Sequence, residues 1–206
     1  MELLPEVKEN RVPEHPVDNL FLNRWSPYAY SSRSVPDDAL DRIFESARWA
    51  ASSYNEQPWR FIVAKTPDDL KTFQSFMVPA NQAWANVAPV LVLTVGKKTF
   101  SHNGAPNRVF LHDVGAASAT MALAATREGL HAHGMAGFDQ ELARATLGLP
   151  TDYEPIAMWA IGYHGETSQL PPEVQPRDKP SGRRPLWEIV MEGGFKETPA
   201  DDTQQS

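Results

Sequence analysis

The chain has 206 residues, a formal charge of −7, no cysteine, and an apolar fraction of 41% with 10% aromatics. That length supports one substantial core and one domain rather than two, and the composition is that of a globular protein. The acidic balance argues against a nucleic-acid partner, which needs a basic face to release counterions. The missing cysteines remove disulfides, thiolate nucleophiles and iron–sulfur clusters.

Residues 1–16, MELLPEVKENRVPEHP, carry acids and three prolines where a secretory peptide would have a basic start and a continuous apolar run, and read as a polar leader. Residues 17–195 read as one domain. Val17 to Trp25 spaces Leu20, Phe21 and Trp25 as a first helix. Pro36 stands at the first position of the next, with Asp37 and Asp38 in its first turn and Leu40, Ile43, Phe44 and Ala47 on one face. A small, polar stretch from Ala50 to Asn55 leads through Pro58 into a strand, Trp59 to Ala64. Thr66 and Asp69 form a capping-box-like pair that opens another helix. Pro79 to Val87 is a short helix, and Pro89 to Val95 a strand with no polar face.

Thr99 to Asn107 is a loop, and Arg108 to Leu130 a long helix crowded with small residues, which let helix backbones approach closely. Its apolar part, Val114 to Thr126, is far short of the ~20 residues that span a bilayer, so no membrane partner is expected and the protein reads as soluble and cytoplasmic. His131 to Phe138 is extended, Asp139 caps a helix that ends at Gly148, and Pro155 to Tyr163 is a further buried strand. A Pro-rich connector, His164 to Arg184, leads to an arm at 185–195 and a disordered tail at 196–206. Helices interleaved with strands predict an α+β fold, a three-layer sandwich around a small mixed sheet.

No GxGxxG follows a strand, and no Walker loop, HExxH or GxSxG occurs. His131 and His133 alternate onto one face, but a pair without a third ligand falls short of the three or four a metal centre takes, so no metal is expected. Three stretches remain: Arg24-Trp25-Ser26-Pro27-Tyr28, Ser52-Ser53-Tyr54-Asn55-Glu56-Gln57-Pro58-Trp59, and Arg183-Arg184-Pro185-Leu186. Taken singly, paired arginines in a polar tail are ordinarily solvated surface, and a Ser/Asn-rich stretch after a helix is ordinarily a turn bonding its own backbone. Taken together, arginines from both ends of an acidic chain suit a bidentate anion pocket.

The order of these stretches resembles the nitroreductase family. RWSPYAY is similar to its N-terminal Arg-x-Ser motif, and ARWAASSYNEQPWRFIVA to its Ser-Ser-x-Asn-x-Gln-Pro-Trp signature. NQAWANVAPVLVLTV, FLHDVGAASATMALAATREGLHAHGMAGFD and GRRPLWEIV resemble the later segments, so that the likeness runs from about Leu20 to Val190. It implies the nitroreductase-like α/β/α sandwich, a homodimer that exchanges its C-terminal arms, and one FMN across each interface.

Carried onto this chain, the resemblance puts Arg24, Ser26 and Arg183 on the FMN phosphate and ribityl end. Tyr28 stands where a Lys or Arg is common, and Arg184 is available in compensation. Ser52, Ser53, Asn55 and Gln57 belong to the signature that reaches the flavin from the partner. Asn81 would meet the flavin's polar edge, Trp84 would stand near N1/O2 where relatives often carry Lys, and Ala136 and Gly137 would bring backbone against N5. Trp84, Phe100 and Phe110 are candidates to roof the ring. The implied reaction moves hydride from NADH or NADPH through the flavin to a small oxidised organic acceptor such as a nitroaromatic or quinone, by ping-pong turnover with no catalytic side chain, because the cofactor carries the chemistry. The alternatives are a specialised relative, acting on flavin itself or on dehalogenation, dehydrogenation or enal substrates, and a non-catalytic flavin-binding dimer.

Overall fold

The structure, a computed structural model, describes residues 1–197. Helices α1 (Pro5–Asn10), α2 (Asn19–Asn23) and α3 (Asp37–Arg48) precede strand β1 (Trp59–Ala64). Helices α4 (Pro67–Ser75) and α5 (Pro79–Ala85) lead to β2 (Val90–Lys97), and α6 (Phe110–Arg127) leads to β3 (His131–Met135). Helix α7 (Gln140–Leu147), β4 (Tyr153–Gly162) and α8 (Leu186–Ile189) complete the chain.

The sheet order is β1-β2-β4-β3. Strand β2 is buried along nearly its whole length, which is why VLVLTV has no polar face, and its alternation feeds two cores. Val90 and Val92 point to one side, where Leu40, Ile43 and Ala47 of α3 meet Met121, Ala122 and Ala125 of α6. Leu91, Leu93 and Val95 point to the other, toward Phe73, Phe76, Trp84 and Phe138. Helices on both faces of one sheet make the three-layer sandwich that the sequence predicts.

The strand sense differs from the expected mixed sheet, because all three pairings are antiparallel. Strands β2 and β3, joined by the α6 crossover, do run the same way. Strand β4 inserts between them, so no parallel pair is hydrogen-bonded.

The polar leader read at 1–16 carries α1, buries Val7 completely, and is held by the side chain of Asn23: the Leu4 amide donates to Asn23 Oδ1 at 3.0 Å, and Asn23 Nδ2 donates to the Glu2 carbonyl at 2.7 Å. The arm at 185–195 carries α8 and leaves Trp187, Ile189 and Val190 at 63%, 62% and 62% exposure. Of the tail expected at 196–206, only Lys196 and Glu197 lie within the described residues.

Candidate functional site

Between Asn23 and Ala29 the chain alternates buried and half-buried positions, as an extended segment does. Asn23, Trp25, Pro27 and Ala29 turn inward, leaving Arg24, Ser26 and Tyr28 on the other side. A backbone bracket aligns this segment beside the end of β4: Ser31 N donates to Tyr163 O at 2.9 Å and Gly165 N to Ala29 O at 3.1 Å. Glycine is required at 165, where a Cβ would lie 2.5 Å from the Tyr30 carbonyl carbon. A second bracket is Asp178, whose Oδ1 accepts the amides of Tyr28 (2.8 Å) and Ala29 (3.2 Å), while Oδ2 accepts the Thr167 hydroxyl (2.6 Å) and faces His164 Nε2 (3.2 Å). Burial works against the charged form of Asp178, but His164, Thr167 and the two amides outweigh it and hold the carboxyl at about 2.

By fixing Asp178 to this segment, the fold brings residues 181–183 to the arginines of the N-terminal end. Arg24 Nη1 lies 3.4 Å from Ser26 Oγ. Arg183 is exposed and bonds the local backbone at Ser181 and Gly182. Arg11, which the sequence did not single out, is buried and donates through Nε to the Ser181 carbonyl (2.9 Å) and through Nη1 to the carbonyls of Leu22 and Arg24 (the latter 2.9 Å). Burial, then the charges of Arg183 and Arg24, pull the Arg11 guanidinium down to about 10; burial, then Arg183, lowers Arg24 as well.

Among the described residues none of these three arginines has a carboxylate within ion-pair distance. In a chain of net charge −7, three cations that repel one another and lack a counter-charge fit an anion such as a phosphate. Arg184 turns instead toward Glu188, 3.9 Å away. Two hollows flank the corner. One, of about 330 Å³, takes Arg24, Trp159 and the Leu111–Ala122 side of α6; the other, of about 820 Å³, takes Arg11, Arg183, Arg184, Leu22, Leu186 and Ile189.

The signature turn after α3 is strained. Tyr54, Asn55 and Gln57 have φ of +52°, +55° and +50° without being glycine, a conformation that persists only where surrounding contacts enforce it. Those contacts are present. Asp113 Oδ2 accepts the Ser53 amide (3.0 Å), Ser52 Oγ accepts the Gln57 amide (3.0 Å), and Gln57 Nε2 donates to the carbonyl (3.0 Å) and Oδ1 (3.1 Å) of Asn55. Glu56 ties the turn to the next loop by accepting from the Ser101 amide (2.9 Å) and hydroxyl (2.6 Å). Tyr54 stays 85% exposed, edge-on to Phe100. Asp113, which holds the turn, lies between Leu111 and Val114, which line the hollow at Arg24, so α6 borders both the turn and the arginine corner.

Asn81 and Gly137 are brought together, though against each other. Asn81 Nδ2 donates to the Gly137 carbonyl at 2.9 Å, and the Val78 amide donates to the same oxygen at 3.1 Å. A Cβ at 137 would lie 2.7 Å from Asn81 Nδ2 and 2.9 Å from Val78 Cγ2, so this approach already demands glycine. Ala136, beside it, is exposed.

Trp84, expected near N1/O2, is only 4% exposed and stacks on His133 with centroids 4.4 Å apart, so its ring is packed into the core. Tyr28 packs edge-on against both rings, at 5.2 and 4.8 Å, with the Arg177 guanidinium 4.8 Å above it; this aromatic packing explains why a ring stands there in place of a cation. Of the aromatics considered as a flavin roof, Phe100 borders the signature turn.

The comparisons with known proteins agree with this architecture. The family model described as the nitroreductase family matches residues 22–80 and 71–163. A crystal structure described as an oxidoreductase containing FMN superposes with a TM-score of 0.88 at 38% identity, over 91% of this chain and 97% of that one. A nitroreductase family protein from Clostridium difficile 630 gives a TM-score of 0.68 at 26% identity, over 85% and 97%. The NADH dehydrogenase of Thermus thermophilus is 28% identical over 206 aligned residues, 82% of this chain and 92% of that one. The chain belongs to the nitroreductase family of oxidoreductases.

Proposed function

We propose that this protein is an FMN-dependent NAD(P)H oxidoreductase, working as a homodimer and reducing a small oxidised organic acceptor such as a nitroaromatic or a quinone. The observation that carries the reading is the corner of Arg11, Arg24 and Arg183, gathered from both ends of an acidic chain with no described counter-charge. A phosphate supplies that charge and accepts from guanidinium forks. The structure that superposes at 38% identity is described as containing FMN, and the Thermus relative as an NADH dehydrogenase, both in keeping with a flavin reduced by a nicotinamide.

When bound, FMN supplies two-electron hydride chemistry between a nicotinamide and an organic acceptor. The chain's own residues then have binding and positioning roles. Arg24, Ser26 and Arg183 hold the phosphate end. Ser52, Ser53 and Asn55, on a turn locked by Asp113 and Glu56, present polar groups from the partner protomer. Asn81, fixed by the Gly137 carbonyl, keeps its own carbonyl oxygen for a donor. The apolar arm, with Trp187, Ile189 and Val190 uncovered, suits burial against a second copy. Alternate use of the bound flavin by nicotinamide and acceptor would give ping-pong kinetics.

Purified protein should be yellow or take up added FMN, run as a dimer, and oxidise NADH or NADPH in an anaerobic screen of nitroaromatics, quinones and enals. A colourless monomer indifferent to FMN would overturn the proposal. A dimer that binds FMN but does not turn over would leave only the binding half.

A further inference from the structure

Arg11 lies just past α1, in a segment threaded between residues 19–24 and 181–186. It is anchored on one side by Asn23 and on the other by Glu14, whose Oε1 accepts the Leu186 amide at 3.0 Å. Its guanidinium uses two nitrogens on three carbonyls: those of Leu22 and Arg24 at the end of α2, and that of Ser181 in the C-terminal segment. Nη2 donates to no described group. Arg24 and Arg183 carry like charges with no described carboxylate between them, so in the absence of an anion they repel one another and their two segments with them. A donor that bonds the carbonyl of Arg24 itself, and a carbonyl two residues before Arg183, opposes that separation.

We infer that Arg11 is a positioning residue for the phosphate site, clamping the end of α2 at Arg24 to the Ser181–Arg183 segment so that both guanidinium groups meet one phosphate, with its own Nη2 left as a further donor at the same corner. This rests on the FMN reading above. The clamp touches none of the residues at 52–57, 78–81 or 136–137. Its effect is therefore confined to the phosphate end, and it should distinguish FMN from riboflavin, which has the same ring and no phosphate.

The test is a fluorescence titration of flavin-depleted full-length protein with FMN and, separately, with riboflavin, for the wild type, Arg11→Lys and Arg11→Met. The Met variant should weaken FMN about tenfold or more, the factor that corresponds to the loss of one charge-assisted bond. Riboflavin affinity should stay within about twofold, since uncharged flavin makes no such bond. Lys keeps the charge but cannot bridge three carbonyls in fixed geometry, so it should fall between, again for FMN alone. Unchanged FMN affinity in Arg11→Met, or an equal loss for both flavins, would overturn the inference. Should the Met variant not fold, Arg11→Lys decides by the same criterion. A wild type with no affinity for either flavin would instead overturn the FMN assignment itself, a result distinct from the failure of Arg11.

Discussion

The arginine corner and the junction between α5 and residue 137 both contain residues that sequence motifs assign to a flavin, and the fold treats them in opposite ways. At the corner, Arg24 and Arg183 share a patch with Arg11 and find no described carboxylate. At the junction Asn81 spends its amide nitrogen on Gly137 and keeps only its carbonyl oxygen, and Trp84 is sealed beneath Tyr28 and His133. The contrast teaches that a group is available to a ligand to the extent that the fold has not already satisfied it. Unpaired buried or half-buried charge is a stronger pointer than an aromatic at the right spacing, because the core accepts an aromatic without any partner.

Trp84→Ala should have the largest effect. Removing this buried ring should destabilise the flavin-free protein by about 3–5 kcal/mol in chemical denaturation. Intact stability with lost flavin affinity would return Trp84 to the ligand. Gly137→Val comes next: its side chain has no room between Asn81 and Val78, so the flavin-free protein should lose about 2 kcal/mol, and a purely flavin-dependent effect would place the residue at the ring instead.

Asp178 sharpens the other side of the contrast, because it braces the Arg24 segment without belonging to the cation cluster. Its folded pKa of about 2 lies below the ordinary aspartate value of 3.8, so its contribution is present above about pH 4 and disappears as pH falls through 2. Its worth is on the order of 2 kcal/mol, and Asp178→Asn should remove that share of the acid-induced loss in a pH series of unfolding midpoints. A wild type and variant with parallel profiles would count against this bracing role. The smallest effect concerns the signature turn. Tyr54→Gly relaxes a left-handed residue that is almost fully exposed, and should raise thermal stability by about 0.5–1 kcal/mol; a loss would show that the Tyr54 ring holds the turn against Phe100.

Much of the fold was legible because local signals and burial pointed the same way. Trp59 to Ala64 is a strand with the predicted bounds, and α7 starts at its Asp139 cap and stops at Gly148, whose φ of +65° suits glycine. The strand sense was not legible, since which strand enters between β2 and β3 depends on contacts far apart in sequence. Nor was α1, six residues with a single wholly buried side chain, whose stability comes from Asn23 rather than from its own pattern. Arg11 gave no signal at all. A lone arginine before Val12 and Pro13 is unremarkable until Leu22, Arg24 and Ser181 converge on it. Arg24 and Arg183 stood out in the sequence because arginines at both ends of an acidic chain suit an anion pocket and because their motifs resemble the family's; the structure sets Arg11 beside them.

Whether arginines from opposite ends of the polypeptide act on one phosphate is decided by a double-mutant cycle on FMN affinity with Arg24→Ala, Arg183→Ala and the pair. The two losses should fail to add by about 1 kcal/mol or more for FMN, while the same cycle measured with riboflavin is flat. Losses that add within about 0.5 kcal/mol, or unchanged FMN affinity in the double variant, would contradict it.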